Sequence, residues 1–307
     1  MKTARLNVTL ALALLLIFAG SAPALDEIVA KKTFTLDELV LTSGKKLAPV
    51  KVGYETYGRL GPGGDNAILI CHFYSGTSHV AGKYKAEDKV PGYWDAIIGP
   101  GKPFDTDKYF IVSSDTLCNI NPKDPMVVTT GPASIDPKTG KPYGMTFPIV
   151  TIRDLVNVQY QLLKSLGVKK LKAVTGGSGG GIQTYEWAVA YPDFMERIIP
   201  VISTPRVHPW LIGWLKLWGE PIKLDPKWNG GDYYGREEPV AGMAYAFEVI
   251  TLSALWEVWA EKSFERKWAD PNKNPADSLQ HEFLVDASCE SAARRGSPSR
   301  MRIPCST

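Results

Sequence analysis

The chain is poor in the residues on which acid–base chemistry most often runs. Only four of its 307 residues are histidine, and these are His72, His79, His208 and His281. Cysteine is equally scarce, at Cys71, Cys118, Cys289 and Cys305. Four in a chain of this size do not make a disulfide framework, so the fold must rest on an apolar core. Cys71 and Cys118 each follow a strand-like run and would pair if those strands are neighbours; two free, half-buried thiols is the other reading. A dominant charge is missing too. The formal charge is +3, but Lys2 and Arg5 at the start and Arg294, Arg295, Arg300 and Arg302 near the end supply the excess. Without them the body is slightly acidic, which argues against nucleic acid as a partner. The apolar run Leu6 to Ala19 falls short of the roughly 20 residues that span a bilayer. With basic residues ahead of it and Ala22-Pro23-Ala24 behind, it has the layout of a secretory signal peptide. The expectation is export, periplasmic or secreted, with cleavage after Ala24 and no stable membrane anchor afterwards.

What is present is enough apolar residue, 44% of the chain, for one core or a core plus a lid. Phe34 to Leu41 and Val50 to Tyr57 read as strands joined by a turn at Ser43-Gly44-Lys45. "AILIC" (Ala67 to Cys71) and "YFIVS" (Tyr109 to Ser113) are continuous apolar runs, as expected for strands buried on both faces. Thr151 to Leu166 has helical spacing closed by Gly167. Leu171 to Thr175 reads as a strand, Ile182 to Ala190 as a helix and Ile198 to Ser203 as a strand. This alternation predicts an α/β fold, with a mainly parallel sheet flanked by helices and covered on both faces. After Pro205 helices dominate. Seven of the nine tryptophans fall between Trp210 and Trp268, and Trp210, Trp214 and Trp218 share one helical face. An ordinary packed helical subdomain and a lid with an aromatic channel wall both fit. The expected organisation is a leader at 1–24, a core at 25–204, a Trp-rich helical lid at 205–287 and a disordered tail at 288–307.

Between a strand-like run and a helix stands "VTGGSGGGIQ", Val174 to Gln183. Strand, G-x-S-x-G, helix is the pattern of a nucleophile elbow, in which a strained turn lifts the Ser178 hydroxyl clear of the sheet. Gly176, Gly177, Gly179, Gly180 and Gly181 would supply the room for it. A helix starting right after Ser178 also leaves amide groups facing the site with partial positive charge, suited to an oxyanion. The alternative is a phosphate-cradling or merely flexible loop, although the glycines lack P-loop order.

Three segments bear on that choice: "CHFYSGTSHVAGKY" from Cys71, "TTGPASIDPKTGKPYGMTFPIVTIRD" from Thr129 and "GGSGGGIQTYEWAVAYPD" from Gly176. They resemble the homoserine O-acetyltransferase family, acyl-transfer enzymes of the α/β-hydrolase fold, and the likeness runs from about residue 30 to 285. The resemblance implies that Ser178 is the acyl-accepting nucleophile. It implies an oxyanion hole made by the backbone N–H groups of Tyr74 and Gly179, where family members commonly carry leucine and methionine. It also implies a small-molecule acyl donor and acceptor, with acyl-CoA as co-substrate rather than a bound cofactor, no metal, and room for a homodimer.

Two departures accompany it. The family places its triad aspartate and histidine after the lid, and this chain has no such region; His208 and His281 are the substitutes that come after the serine. From Ser288 the text turns to "SCESAARRGSPSRMRIPCST", which reads as a departure from the ancestral frame, so a truncated member is expected. The lid segment "GMAYAFEV" (Gly242 to Val249) lacks the arginine that family members use for a substrate carboxylate. Three functions follow: an acyltransferase with impaired turnover, a secreted serine hydrolase, or a remnant without catalysis.

Overall fold

The computed structural model describes residues 28–294, with side chains through Ser291. The expected leader, the end of the tail and Cys305 lie outside the described residues. No helix among the described residues is long and apolar enough to cross a membrane. The chain forms two compact units, one of residues up to 129 together with 149–204, the other of residues 130–148 together with those from 205 on.

The first unit is built on a six-stranded sheet. Its strands are β1 (Lys32–Leu36), β2 (Val50–Tyr57), β3 (Ala67–Cys71), β4 (Phe110–Ser114), β5 (Leu171–Gly177) and β6 (Ile198–Val201), in the spatial order β1-β2-β4-β3-β5-β6. β4, β3, β5 and β6 run parallel, and β2 joins β4 antiparallel, as β1 joins β2. The "AILIC" run is buried at every position, and so is "FIVSS", one residue later than expected. Such runs suit strands covered on both faces, since alternate side chains enter opposite layers. Leu69 and Cys71 join Val156, Leu162, Leu163 and Trp187 under the helices α1 (Ile152–Ser165) and α2 (Gly179–Ala190). Ile68 and Ile70 face the other way, onto Val80, Ala81 and Ile98. Among the described residues, the loop-rich segment 80–104 covers that second face. The loop offers scattered large apolar side chains, Tyr93, Trp94 and Phe104 among them, which pack there without helical spacing.

α1 begins where the chain foretells. Thr151 caps it, its side chain accepting from the Asp154 amide while Asp154 reaches back to Thr151. The cysteine expectation resolves to free thiols. β3 and β4 are neighbours, yet Cys71 and Cys118 are unbonded. Cys71 turns into the core beneath α1, where its thiol lies 3.8 Å from Gln159 Oε1 and burial pushes its pKa well up.

The second unit is mostly helical: α3 (Pro209–Leu224), α4 (Val240–Ala254), α5 (Glu257–Phe264) and α6 (Leu284–Arg294). It differs from the expected lid in an added earlier stretch and at the lid's end. Residues 130–148 belong to it, a stretch of turns closed by the Ile135–Pro142 bridge. Their lack of periodicity left nothing to separate them from the core. The boundary at 287 falls inside α6, so the tail expected to be disordered from Ser288 continues as helix to Arg294. "CESAAR" carries good helix formers, and Cys289 is buried, which gives that turn a packed face. The three tryptophans of α3 part company: Trp210 stacks edge-on with Trp214, while Trp218 donates to Ser253 Oγ of α4 at 2.8 Å.

Candidate active site

Ser178 sits between β5 and α2 with φ 53° and ψ −117°, a backbone conformation side chains rarely take. Its neighbours hold it there. The Ser178 amide donates to Val201 O at 3.0 Å, and Ser203 Oγ donates to the Ser178 carbonyl at 2.9 Å. Gly181 and Ile182 turn their amides back onto the same carbonyl, which starts α2. The side chain is left exposed.

The five glycines are not equivalent. A Cβ on Gly176 would stand 2.5 Å from Cys71 O, one on Gly180 2.1 Å from the same oxygen, and one on Gly181 2.4 Å from Ser203 Cβ. At Gly177 a Cβ meets nothing within 4 Å. The expectation that all five glycines make room is thus corrected. The two glycines of G-x-S-x-G are required by close approach to β3, and the residues between are not. Gly179 is the informative intermediate, for its Cβ would lie 3.4 Å from the Tyr74 amide nitrogen. That contact sets the two expected oxyanion-hole residues, Tyr74 and Gly179, side by side next to Ser178. Tyr74 is half exposed, at 49%.

Beneath them, polar side chains tie α2 to the start of the Tyr74 loop. Gln183 Nε2 donates to His72 O at 3.3 Å, and its Oε1 accepts from Gln159 Nε2 at 2.7 Å. Trp187 Nε1 donates to Gln159 Oε1 at 2.7 Å, closing the chain.

The histidines are engaged elsewhere. His72 is buried with Nδ1 2.7 Å from Phe73 O, and burial holds its pKa down. His79 lies 3.0 Å from Glu55 Oε2 and stacks on Tyr84. Neither ring is bonded to Ser178 within their shared unit. His208 and His281 belong to the helical unit. His208 caps α3 by accepting from the Trp210 amide at 3.3 Å, and His281 Nδ1 lies 2.8 Å from Asn274 O. Sequence reasoning passed over Gln183, Gln159 and Glu55. A readable signal existed for Glu55, an ionisable residue two positions before Tyr57 and in phase with it on a strand.

Comparison with known proteins bears on the fold and the family. Residues 124–298 match the family described as the alpha/beta hydrolase fold. Homoserine O-acetyltransferase from Carboxydothermus hydrogenoformans is 50% identical over 219 residues, 71% of this chain and 56% of that protein. Among solved structures, homoserine O-acetyltransferase from Bacillus anthracis is 40% identical with a TM-score of 0.81, covering 88% of this chain and 71% of that one. Esterase E22 is 43% identical with a TM-score of 0.82, covering 90% and 74%. The chain belongs to the α/β-hydrolase fold family, in the group of the homoserine O-acetyltransferases. Against three curated acetyltransferases it spans 56%, 60% and 63% of the relative's length.

Proposed function

We propose that this protein carries out acyl transfer through an acyl-enzyme on Ser178. The observation that carries the reading is the strained, exposed Ser178 with the Tyr74 amide packed against Gly179. In this reading Ser178 Oγ attacks the carbonyl carbon of an acyl donor while a base takes its proton. The amides of Tyr74 and Gly179 meet the charge that develops on the carbonyl oxygen, which is where such donors accelerate the step. The donor's leaving group departs with a proton, and an acceptor hydroxyl then takes the acyl group from the serine. An acyl-CoA thioester is the proposed donor and a small hydroxyl compound the acceptor, with no metal and no resident cofactor.

Turnover of this chain is proposed to be slow. In the unit of Ser178 the described imidazoles are His72 and His79, and both are held by other partners. A serine without a base is a weak nucleophile. The export reading stands on the leader-like first 24 residues.

Hydrolysis, with water as acceptor, is the second reading. It draws on the likeness to esterase E22, 43% identical, and on the missing arginine in "GMAYAFEV". A fluorophosphonate probe tests the shared chemistry: covalent labelling of wild type that vanishes in Ser178→Ala is expected. No label on wild type would sink the acyl-enzyme. Acetyl transfer from acetyl-CoA to homoserine, set against release from p-nitrophenyl acetate in water, then separates transferase from esterase.

A further inference from the structure

Three ionisable side chains in the sheet unit lie buried without a part in the chemistry above. Glu55 is on β2, Asp115 directly follows β4, and Lys31 precedes β1. The side chains of Glu55 and Asp115 are at 0% exposure and that of Lys31 at 8%. Lys31 Nζ lies 3.0 Å from Glu55 Oε1 and 3.4 Å from Asp115 Oδ2, and also contacts Ser78 Oγ. Two carboxylates against one lysine in a dry interior carry a desolvation cost that a hydrophobic core of the same volume would avoid. Their surroundings show what they hold in return.

The segment after β3, residues 72–84, has almost no strand or helix of its own, so side chains must fix it. The Ser78 amide donates to Asp115 Oδ1 at 2.8 Å, and Ser78 Oγ donates to Glu55 Oε1 at 3.2 Å. Tyr84 OH donates to the same oxygen at 2.6 Å. On the other oxygen of Glu55, Tyr57 OH donates at 2.7 Å, with His79 Nδ1 at 3.0 Å. Closer to Tyr74, Asn119 Nδ2 donates to Gly76 O at 2.9 Å and Asn121 Nδ2 to Ser75 O at 3.3 Å. Ser78 is wholly buried, so its hydroxyl, although beside a lysine and a carboxylate, is no second nucleophile.

We propose that Glu55, with Asp115 and Lys31, is a positioning residue that fixes the 72–84 segment so that the Tyr74 amide stays beside Gly179. This rests on the Ser178 reading, since only there does the amide have an oxyanion to meet. A carboxylate is needed because both of its oxygens accept. An amide at this position would set its own N–H donors against the Tyr84 and Ser78 hydroxyls or against Tyr57 and His79. Only three residues separate Ser78 from Tyr74, with Gly76 pinned among them, so slack at Ser78 is felt at the amide. An oxyanion donor displaced by even a fraction of an ångström loses much of its effect on a short-lived charge.

The test uses the full chain, Glu55→Gln and the milder Tyr84→Phe, followed by hydrogen exchange and by fluorophosphonate labelling of Ser178. Glu55→Gln should raise amide exchange across 73–79 about tenfold while β3 and β5 keep their protection. The maximal labelling rate should fall at least about tenfold, with the probe concentration for half-maximal rate unchanged. Tyr84→Phe should give the same pattern more weakly, and it decides alone if Glu55→Gln does not fold. Unchanged exchange at 73–79, or a loosened segment with full labelling rate, overturns the positioning role. Wild-type protein that takes no label overturns the Ser178 reading itself, so the two failures look different.

Discussion

In the sheet unit Leu69, Val112, Leu162, Leu171, Val174 and Trp187 are shut off from solvent, and they interlock across β3, β4, β5, α1 and α2. In the helical unit the described buried apolar side chains are small, Ala246 and Cys289, while Trp210 and Trp256 stand 73% and 72% exposed. The same residue type therefore carries opposite weight in the two regions. Trp187 is a keystone with its indole N–H satisfied by Gln159, whereas Trp210 meets its neighbour Trp214 edge-on at the surface. The sheet unit is held by dense packing, and the dense packing is also what allows it to hold Ser178 in a strained conformation.

The sharpest way to break this comparison is to truncate one tryptophan in each region. Trp187→Ala should cost about 4 kcal/mol in chemical denaturation, because it opens a cavity and strips Gln159 Oε1 of a donor. Trp210→Ala should stay within about 0.5 kcal/mol. Equal effects would mean that the two units share one kind of core. Next in size is the elbow. Gly180→Ala forces a Cβ against Cys71 O and should cost about 3 kcal/mol together with Ser178 labelling. Gly177→Ala has open space and should keep labelling within about threefold, a change of well under 1 kcal/mol.

The third test is acid. Burial alone would push Glu55 up, but the His79 hydrogen bond, the Lys31 charge and the Tyr84 and Tyr57 hydroxyls outweigh it and hold its carboxyl at about 2 instead of the ordinary 4.5. Its folded pKa is depressed, so its contribution is present above pH 4.5 and is lost as pH falls towards 2. A stability–pH curve should drop through that window by about 3 kcal/mol more in wild type than in Glu55→Gln. Parallel curves would show that Glu55 is not held as a charge. The smallest effect expected is at the helix cap, where Thr151→Ala should cost about 1 kcal/mol.

Much of the sheet unit was legible in advance because its signals are local. "AILIC" is continuous and apolar, so it could only be a doubly covered strand, and its bounds coincide with β3. Helical spacing from Thr151 announced α1, and strand, G-x-S-x-G, helix announced the elbow. Legibility failed where a residue's role depends on atoms far along the chain. Nothing at Gly177 distinguishes it from Gly180 until Cys71 O stands next to one and not the other. Residues 130–148 have no periodicity to reveal which unit they join. The tail looked patternless from Ser288, yet its first turns extend a helix whose apolar face Cys289 completes.

By itself, then, the sequence determined the buried strands, the start of α1 and the serine on its turn, since hydrogen bonding and side-chain period within a few residues decide those. Tertiary structure alone decided that the Tyr74 amide lies against Gly179, that residues 80–104 pack on the second sheet face, and that Glu55 is a buried, many-bonded carboxylate. Each of those is a contact between segments dozens of residues apart. The energy of such a contact belongs to the packed pair and is written in neither partner.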